Sequence, residues 1–431
     1  MNLMQRENGI ATPRVLKGKD AWKFVASLES RTMDIELFKE AVIQVINAVR
    51  NSGDEAVRDY MVKYYGVDMP VDELMVSKEE IENAFAQVGD AEKKTIEKEI
   101  EIFKTFHGRQ KPQEIVESGS YGKMRLRWVP LGRIGIHVPE YSDAAYISTM
   151  ISHVVPAMIA GVDEIAVFTP PLENGEVNPM LLATAKLLGV KEVYRIGGPI
   201  AVAVMAYGTQ SIQAVDKIFG TGDSYFMAAK QIVAQNARID MPSGPSENLI
   251  IADESSDLDK VLLDLISQAE HLDSMTFLLT DSEDFAYKVV EMLKSLLLEV
   301  SSTVVFDNMK NTFILVFDNM DDIVEAVNVI SPERVAIFTS NAEAIASKIN
   351  NAGAIFINTP SAFGDYGIGM NQQLPSSGFA RSFGALTVLD FMKPLYEIEL
   401  NNNGINDLRT FVEKMALLEG FPLHAKAIRE F

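Results

Sequence analysis

The chain holds five histidines, His107, His137, His153, His271 and His424. His271 differs from the others because Gln268 lies three positions before it. Val261, Leu262, Leu265 and Ile266 recur at helical spacing just upstream, so a helix would present Gln268 and His271 on one face. An imidazole and an amide oxygen side by side are donors for a metal ion, and zinc takes three or four such ligands. The pair is weak evidence by itself, because a lone histidine is more often a satisfied structural group. His107 lies in a polar stretch and His153 in an apolar helix, where structural contact is the expected role. The turn Ser243-Gly244-Pro245-Ser246-Glu247 precedes the pair, followed by the apolar run Asn248–Ala252. A turn feeding a strand, then a helix carrying a polar pair, is the layout of a site. The chain has no cysteine, so any zinc must be held by histidine, carboxylate or amide oxygen, and no disulfide framework exists.

The elements that must position these residues alternate. Ile165–Phe168, Val193–Ile196 and Lys217–Phe219 read as strands, with helices predicted over Asn178–Leu188 and Ala201–Gly208. A second run gives strands at Phe277–Leu279, Phe313–Val316, Val335–Phe338 and Ala354–Ile357. Helices are expected there over Glu283–Leu297, Met320–Ile330 and Ala342–Asn350. Such alternation predicts parallel sheets covered by helices. The first hundred residues read as charged, amphipathic helices over Ile35–Tyr65 and Ser77–Phe106, with a capping box at Ser77–Glu80. Val305-Phe306-Asp307-Asn308-Met309 recurs as Val316-Phe317-Asp318-Asn319-Met320, read as two similar strand ends. The formal charge of -21 disfavours nucleic acid and anionic membranes. No apolar run reaches membrane-spanning length, and the first residues lack an apolar signal-peptide core, so a cytoplasmic location is expected.

Several blocks, in order along nearly the whole chain, resemble the histidinol dehydrogenase family. Pro130–Pro139 (PLGRIGIHVP) is similar to the family's PLxRVGxYVP strand, and Val215–Asp223 (VDKIFGTGD) to its VDKIxGPGN turn. Ser331-Pro332-Glu333 matches APEH in part. Gly364-Asp365-Tyr366, Leu374-Pro375 and Phe379-Ala380-Arg381 match GDY…LPT…AR. Glu419-Gly420 with His424 resembles the EGxxxH ending. The resemblance implies an α/β fold of two incomplete Rossmann-like domains with parallel sheets, an N-terminal tail and a C-terminal helical arm. The expected division is a tail at 1–24, an α/β domain at 25–136 and 248–385, an inserted domain at 137–247, and an arm at 386–431 that crosses to the partner of a homodimer. It implies a zinc- and NAD-dependent enzyme that oxidises L-histidinol through the aldehyde to L-histidine. The implied zinc ligands are Gln268, His271, Asp365 and His424, the last from the partner. These four, with Ser246 and Glu419, would surround the substrate.

The departures lie in the catalytic and cofactor positions. Glu333 matches the catalytic glutamate, but Arg334 stands where the family has its catalytic histidine. Arginine cannot accept a proton at neutral pH. Its planar fork suits a carboxylate or sulfonate. Gln372 replaces a further histidine. The NAD-contacting tyrosine, glutamine and asparagine are His137, Ile200 and Asp223 here. Glycine turns at Gly197-Gly198 and Gly220-Thr221-Gly222 would still let a diphosphate approach the backbone. Three outcomes stay open: oxidation of L-histidinol, oxidation of another small polar alcohol (an amino alcohol or an anionic polyol), or a catalytically inactive homologue.

Overall fold

The computed structural model describes residues 4–7, 10–13, 15–31, 35–141, 144–242, 244–271, 273–300 and 302–430. Residues 1–3, 8, 9 and 14 of the expected tail and Ser243 of the expected turn lie outside this set.

Two all-parallel sheets carry the site. The first has five strands in the spatial order Glu192–Tyr194, Glu164–Phe168, Arg133–His137, Lys217–Gly220, Arg238–Ile239. The second has six, in the order Ala354–Ile357, Arg334–Phe338, Glu247–Ala252, Met275–Thr280, Thr312–Val316, Val15–Lys17. Numbered along the chain, each sheet runs 3-2-1-4-5, the strand order of a Rossmann sheet without its sixth strand; the second adds an N-terminal strand at its edge. The central strands are buried on both faces, which is why they read as unbroken apolar runs such as Leu249–Ala252.

The division of the chain differs from the expected one. Helices Glu36–Ser52 and Asp54–Tyr65 bury Val42, Ile46, Val49, Val57 and Met61 against Ala166, Phe168 and Ile200 of the first sheet's layers. Helix Asp90–His107 packs Ile96, Ile100 and Phe103 into the other face of that unit. Residues 35–110 therefore belong with the 133–239 sheet, although a pattern of apolar spacing gives no sign of which sheet will receive it. Residues 15–24 of the expected tail are also part of a core. Val15–Lys17 pairs in parallel with Ile314–Val316, and helix Gly18–Leu28 buries Ala21, Val25 and Leu28.

A three-stranded antiparallel ribbon was not expected. Ile115–Gly119, Gly122–Pro130 and Met392–Leu400 pair in the order 392–400, 122–130, 115–119. The arm thus begins as a strand, with Pro394 opposite Trp128. Proline is tolerated there because the strand is at the ribbon's edge and owes no ladder bond on its outer side. Helices Asn402–Leu418 and Pro422–Glu430 follow. They leave Phe411, Leu418, Phe421 and Leu423 largely exposed.

The two similar pentapeptides are not two strand ends. Val305–Asn308 ends the short helix Thr303–Asn308, whereas Val316 ends a strand and Met320 opens a helix. Their five residues are the same, so the surrounding packing decides the outcome.

Candidate active site

The carboxyl ends of the first sheet face the amino ends of the second, and the polar cleft lies between them. On the first sheet, the neighbouring strands Arg133–His137 and Lys217–Gly220 are the pair at which strand order reverses. Gly220, at φ 101°, turns the chain there. A Cβ at Gly220 would collide with the carbonyl oxygen of His137, so only glycine fits. A buried ion pair holds this turn. Lys230 Nζ lies 2.5 Å from Asp240 Oδ1 and donates to Gly220 O at 2.7 Å, and Gly220 N donates to Asp240 Oδ2 at 3.0 Å.

On the second sheet, Glu247 opens the central strand and Arg334 its neighbour, paired so that Asn248 faces Arg334. Helix Leu258–Gln268 ends at Gln268, and a tight turn then carries His271, which is beyond the helix and not on it. Asn308 fixes that turn by donating to Ala269 O at 2.8 Å and His271 O at 2.7 Å. Asp264, one helical turn before Gln268, accepts from Ser361 N (2.7 Å) and Ser361 Oγ (2.9 Å), which anchors the loop that presents Asp365.

Four of the expected residues converge around the guanidinium of a fifth, Arg334. Arg334, 3% exposed, donates from Nη1 to Gln268 Oε1 at 2.7 Å and to Asp365 Oδ2 at 2.9 Å. Its Nη2 lies 2.7 Å from Asp365 Oδ1 and 3.1 Å from Glu333 Oε1. Gln268 Nε2 also donates to Asp365 Oδ2, at 3.3 Å. His271 Nε2 stands 4.0 Å from the same oxygen. Glu333 Oε2 accepts from Glu247 N at 3.0 Å. Burial pushes the Glu333 carboxyl up to about 7, against the pull of Arg334. Burial, then the Arg334 charge, holds the His271 imidazole below its ordinary value, so the ring is neutral at neutral pH.

Ser246, Glu333, Arg334, His271 and Asp365 line a pocket together with Tyr146, Thr149, Thr221, Tyr366 and Gln372. Gln372 ties the two units, its amide 2.8 Å from Thr149 Oγ1, while Asn371 donates to Ser152 O at 2.6 Å. Thr221 and Tyr366 lie in blocks already singled out from sequence, whereas nothing in the spacing of Tyr146 marks it as a neighbour of Glu333. The pocket continues into a 480 Å³ cleft along Phe38, Pro139, Gly222, Asp223 and Tyr225, sharing Tyr146, Thr221, Ser246 and His271 with it.

Other expected site residues are placed differently. Glu419, just past helix Asn402–Leu418, and His424, on helix Pro422–Glu430, are exposed, and the protomer's own pocket does not include them. His137 is 2% exposed, with Nδ1 2.6 Å from Thr221 O, Nε2 accepting from Gly198 N at 3.4 Å, and its ring stacked on Phe226. Both ring nitrogens are used in clipping the two glycine turns together, so neither is free for a cofactor hydroxyl. Burial pushes His137 down to about 4. Asp223 caps helix Ser224–Val233, accepting from Phe226 N at 2.8 Å. Its carboxylate occupies the helix end that a diphosphate would need. His153 is buried, with Nδ1 2.7 Å from Thr149 O.

The donor set does not fit a metal. Gln268 Oε1 and both Asp365 oxygens already face a permanent cation, and His271 Nε2 stands 4.0 Å from Asp365. Nor is Arg334 free for an anionic substrate, because both its terminal nitrogens are committed to protein oxygens.

Two Rossmann-ordered sheets meeting at a polar cleft, with a buried carboxylic acid beside a glycine turn, define a two-unit α/β protein whose site lies at the junction. The histidinol dehydrogenase family model matches residues 28–430. A histidinol dehydrogenase of Methanothermobacter thermautotrophicus is 35% identical over 408 residues, covering 93% of this chain and 95% of that protein. One of Brucella abortus is 34% identical over 412 residues, covering 94% of this chain and 95% of its own. The crystal structure of histidinol dehydrogenase from Elizabethkingia anophelis superposes with a TM-score of 0.90 at 30% identity, covering 99% and 98% of the two chains. The chain belongs to the histidinol dehydrogenase family, oxidoreductases that act on CH–OH groups.

Proposed function

We propose that this chain is an NAD-linked dehydrogenase that oxidises L-histidinol through the aldehyde to L-histidine, with Glu333 as the proton acceptor. The observation that carries the reading is Glu333 itself. It is a buried carboxyl poised near neutrality, on the wall of a pocket that runs on into the glycine-turn cleft. A general base works best with a pKa near the working pH. Arg334 cannot serve, and its neighbour takes over the task that falls to histidine in the family.

The cleft past Thr221 and Tyr225 is the proposed seat of NAD, which when bound supplies the hydride acceptor. Asp223 Oδ1 is used in capping, which leaves Oδ2 to accept a ribose hydroxyl. In the first oxidation a C–H hydride leaves the carbinol carbon and Glu333 takes the hydroxyl proton. In the second, Glu333, having released that proton to solvent, takes one from water as the water oxygen adds to the aldehyde, and a second hydride leaves. His271, neutral and 31% exposed in its side chain, offers a hydrogen bond to the reacting oxygen. With Arg334 cancelled by Asp365, the pocket carries no free positive charge. That favours a cationic amino alcohol over an anionic polyol.

The reading includes a homodimer. Phe411 (62% exposed), Leu418 (82%) and Leu423 (79%) make an apolar face on the arm that is costly to leave in water. A partner protomer covering it would bring Glu419 within reach of the substrate's amino group. Purified protein given L-histidinol and NAD should form NADH, and Glu333→Gln should slow it on the order of a hundredfold or more. A turnover rate unchanged in Glu333→Gln would refute the assignment of the base.

A further inference from the structure

Within the protomer, one residue stands among the three expected ligands Gln268, His271 and Asp365. Arg334 lies on the amino end of strand Arg334–Phe338, and its side chain reaches between Gln268 and Asp365. A divalent ion bound by those two residues and His271 would need Gln268 Oε1, an Asp365 oxygen and His271 Nε2 turned towards one point. In this chain the first two are turned towards the guanidinium, at 2.7 to 2.9 Å. Asp365 is held on both oxygens, the two-pronged pairing that suits a planar fork. The third, His271, remains 4.0 Å from Asp365.

We infer that the Arg334 guanidinium is the resident cation of this site, and that the protein binds no structural or catalytic zinc there. Electrostatics gives the reason. Two buried acids, Glu333 and Asp365, need a positive partner, and one permanent charge already satisfies them. A dication added at Gln268 and Asp365 would stand within a few ångströms of the guanidinium and repel it in a poorly screened interior. The two cations are alternatives. The geometry also implies a latent metal site: shortening residue 334 would free the Gln268 and Asp365 oxygens, with His271 beside them. The inference concerns the site of the proposed dehydrogenase but does not depend on which alcohol is oxidised.

The test is metal content and metal-dependent melting of the full-length protein, read separately from turnover. Wild-type protein produced in zinc-supplemented medium should carry no more than trace zinc. Its melting temperature should not move with added zinc chloride or with EDTA. Arg334→His should carry about one zinc per protomer, with a melting temperature that rises by several degrees with zinc and falls with EDTA. Adding His271→Ala should remove that zinc. Stoichiometric zinc in the wild type that disappears in His271→Ala would overturn the inference. So would a folded Arg334→His protein that still binds none, since Arg334 would then not be what excludes the metal. Should Arg334→His fail to fold, the wild-type melting response to zinc and EDTA still decides. Absence of turnover on L-histidinol in a zinc-free wild type would count against the proposed activity and leave the metal inference standing.

Discussion

Replacing Arg334 with methionine keeps most of the side-chain stem and removes the charge. The residue is 3% exposed, and its guanidinium pairs with Asp365 through both oxygens, with Glu333 at 3.1 Å, and with Gln268 at 2.7 Å. Breaking a buried pair leaves an uncompensated charge and typically costs about 3–5 kcal/mol. Glu333 adds little to that at neutral pH, because its carboxyl, already pushed up to about 7, takes up a proton readily. Asp365 carries most of the loss. At the per-residue unfolding entropy of globular proteins, a loss of about 4 kcal/mol lowers the melting temperature of a chain this long by about 4 °C. The sign with pH follows. Without Arg334 the Glu333 carboxyl, already raised by burial, loses the charge that pulls it down, so the folded variant binds more protons than wild type, and its deficit shrinks as pH falls and grows as pH rises. Differential scanning calorimetry from pH 5 to pH 8 on both proteins checks this. A variant that melts within a degree of wild type at pH 8, or a deficit that does not change with pH, would refute the account of Arg334 as the cation holding two buried acids.

Glu333 must be ionised to accept a proton, so kcat/KM should fall as pH drops through about 7, and Glu333→Gln should cost on the order of a hundredfold to ten-thousandfold; a flat profile in that range would point to another base. His137 is pushed down to about 4 by burial, below its unfolded value, so the stability it confers is complete above about 6.5 and is lost as pH falls from there. That amounts to about 3 kcal/mol by pH 4, and His137→Gln should flatten the acid side of the stability curve measured by urea midpoints. Lys230→Met leaves Asp240 buried and alone behind the Gly220 turn, and should cost about 3–5 kcal/mol while raising KM for NAD more than for the alcohol. Asp223→Ala should weaken NAD binding by about tenfold or more if Oδ2 holds a ribose hydroxyl; tighter binding in titration calorimetry would place the carboxylate beside a phosphate.

The sheets were legible because their strands are buried on both faces. Unbroken apolar runs such as Leu249–Ala252 and Phe277–Leu279 mark strands buried on both faces, and the Ser77–Glu80 capping box forms as its residue types require. The partners of amphipathic helices were not legible. Helix Glu36–Ser52 has one apolar face, and either sheet could have received it. The ribbon strand Met392–Leu400 was hidden by Pro394 and by its mixture of exposed charged and apolar residues. In the site, Gln268, His271, Glu333, Arg334 and Asp365 were named from sequence and do meet. What one-dimensional reading could not supply is the length of reach. Arg334 was weighed as a lost base or as an anion receptor, and only its geometry reveals a side chain long enough to enter the neighbouring ligand set. His137 misled for a similar reason, since a polar residue at a cofactor position can turn inward and bond its own backbone.

The central claim is that this chain performs the family's alcohol oxidation on an amino alcohol, with Glu333 as base and Arg334 as the fixed cation. Its most direct test is steady-state NADH formation from L-histidinol and NAD by EDTA-treated wild-type protein. We predict turnover that survives EDTA, produces two NADH per L-histidine formed by the balance of the two oxidations, and falls on the order of a hundredfold or more in Glu333→Gln. No NADH from L-histidinol before or after zinc loading, or turnover that appears only once zinc is supplied, would contradict it.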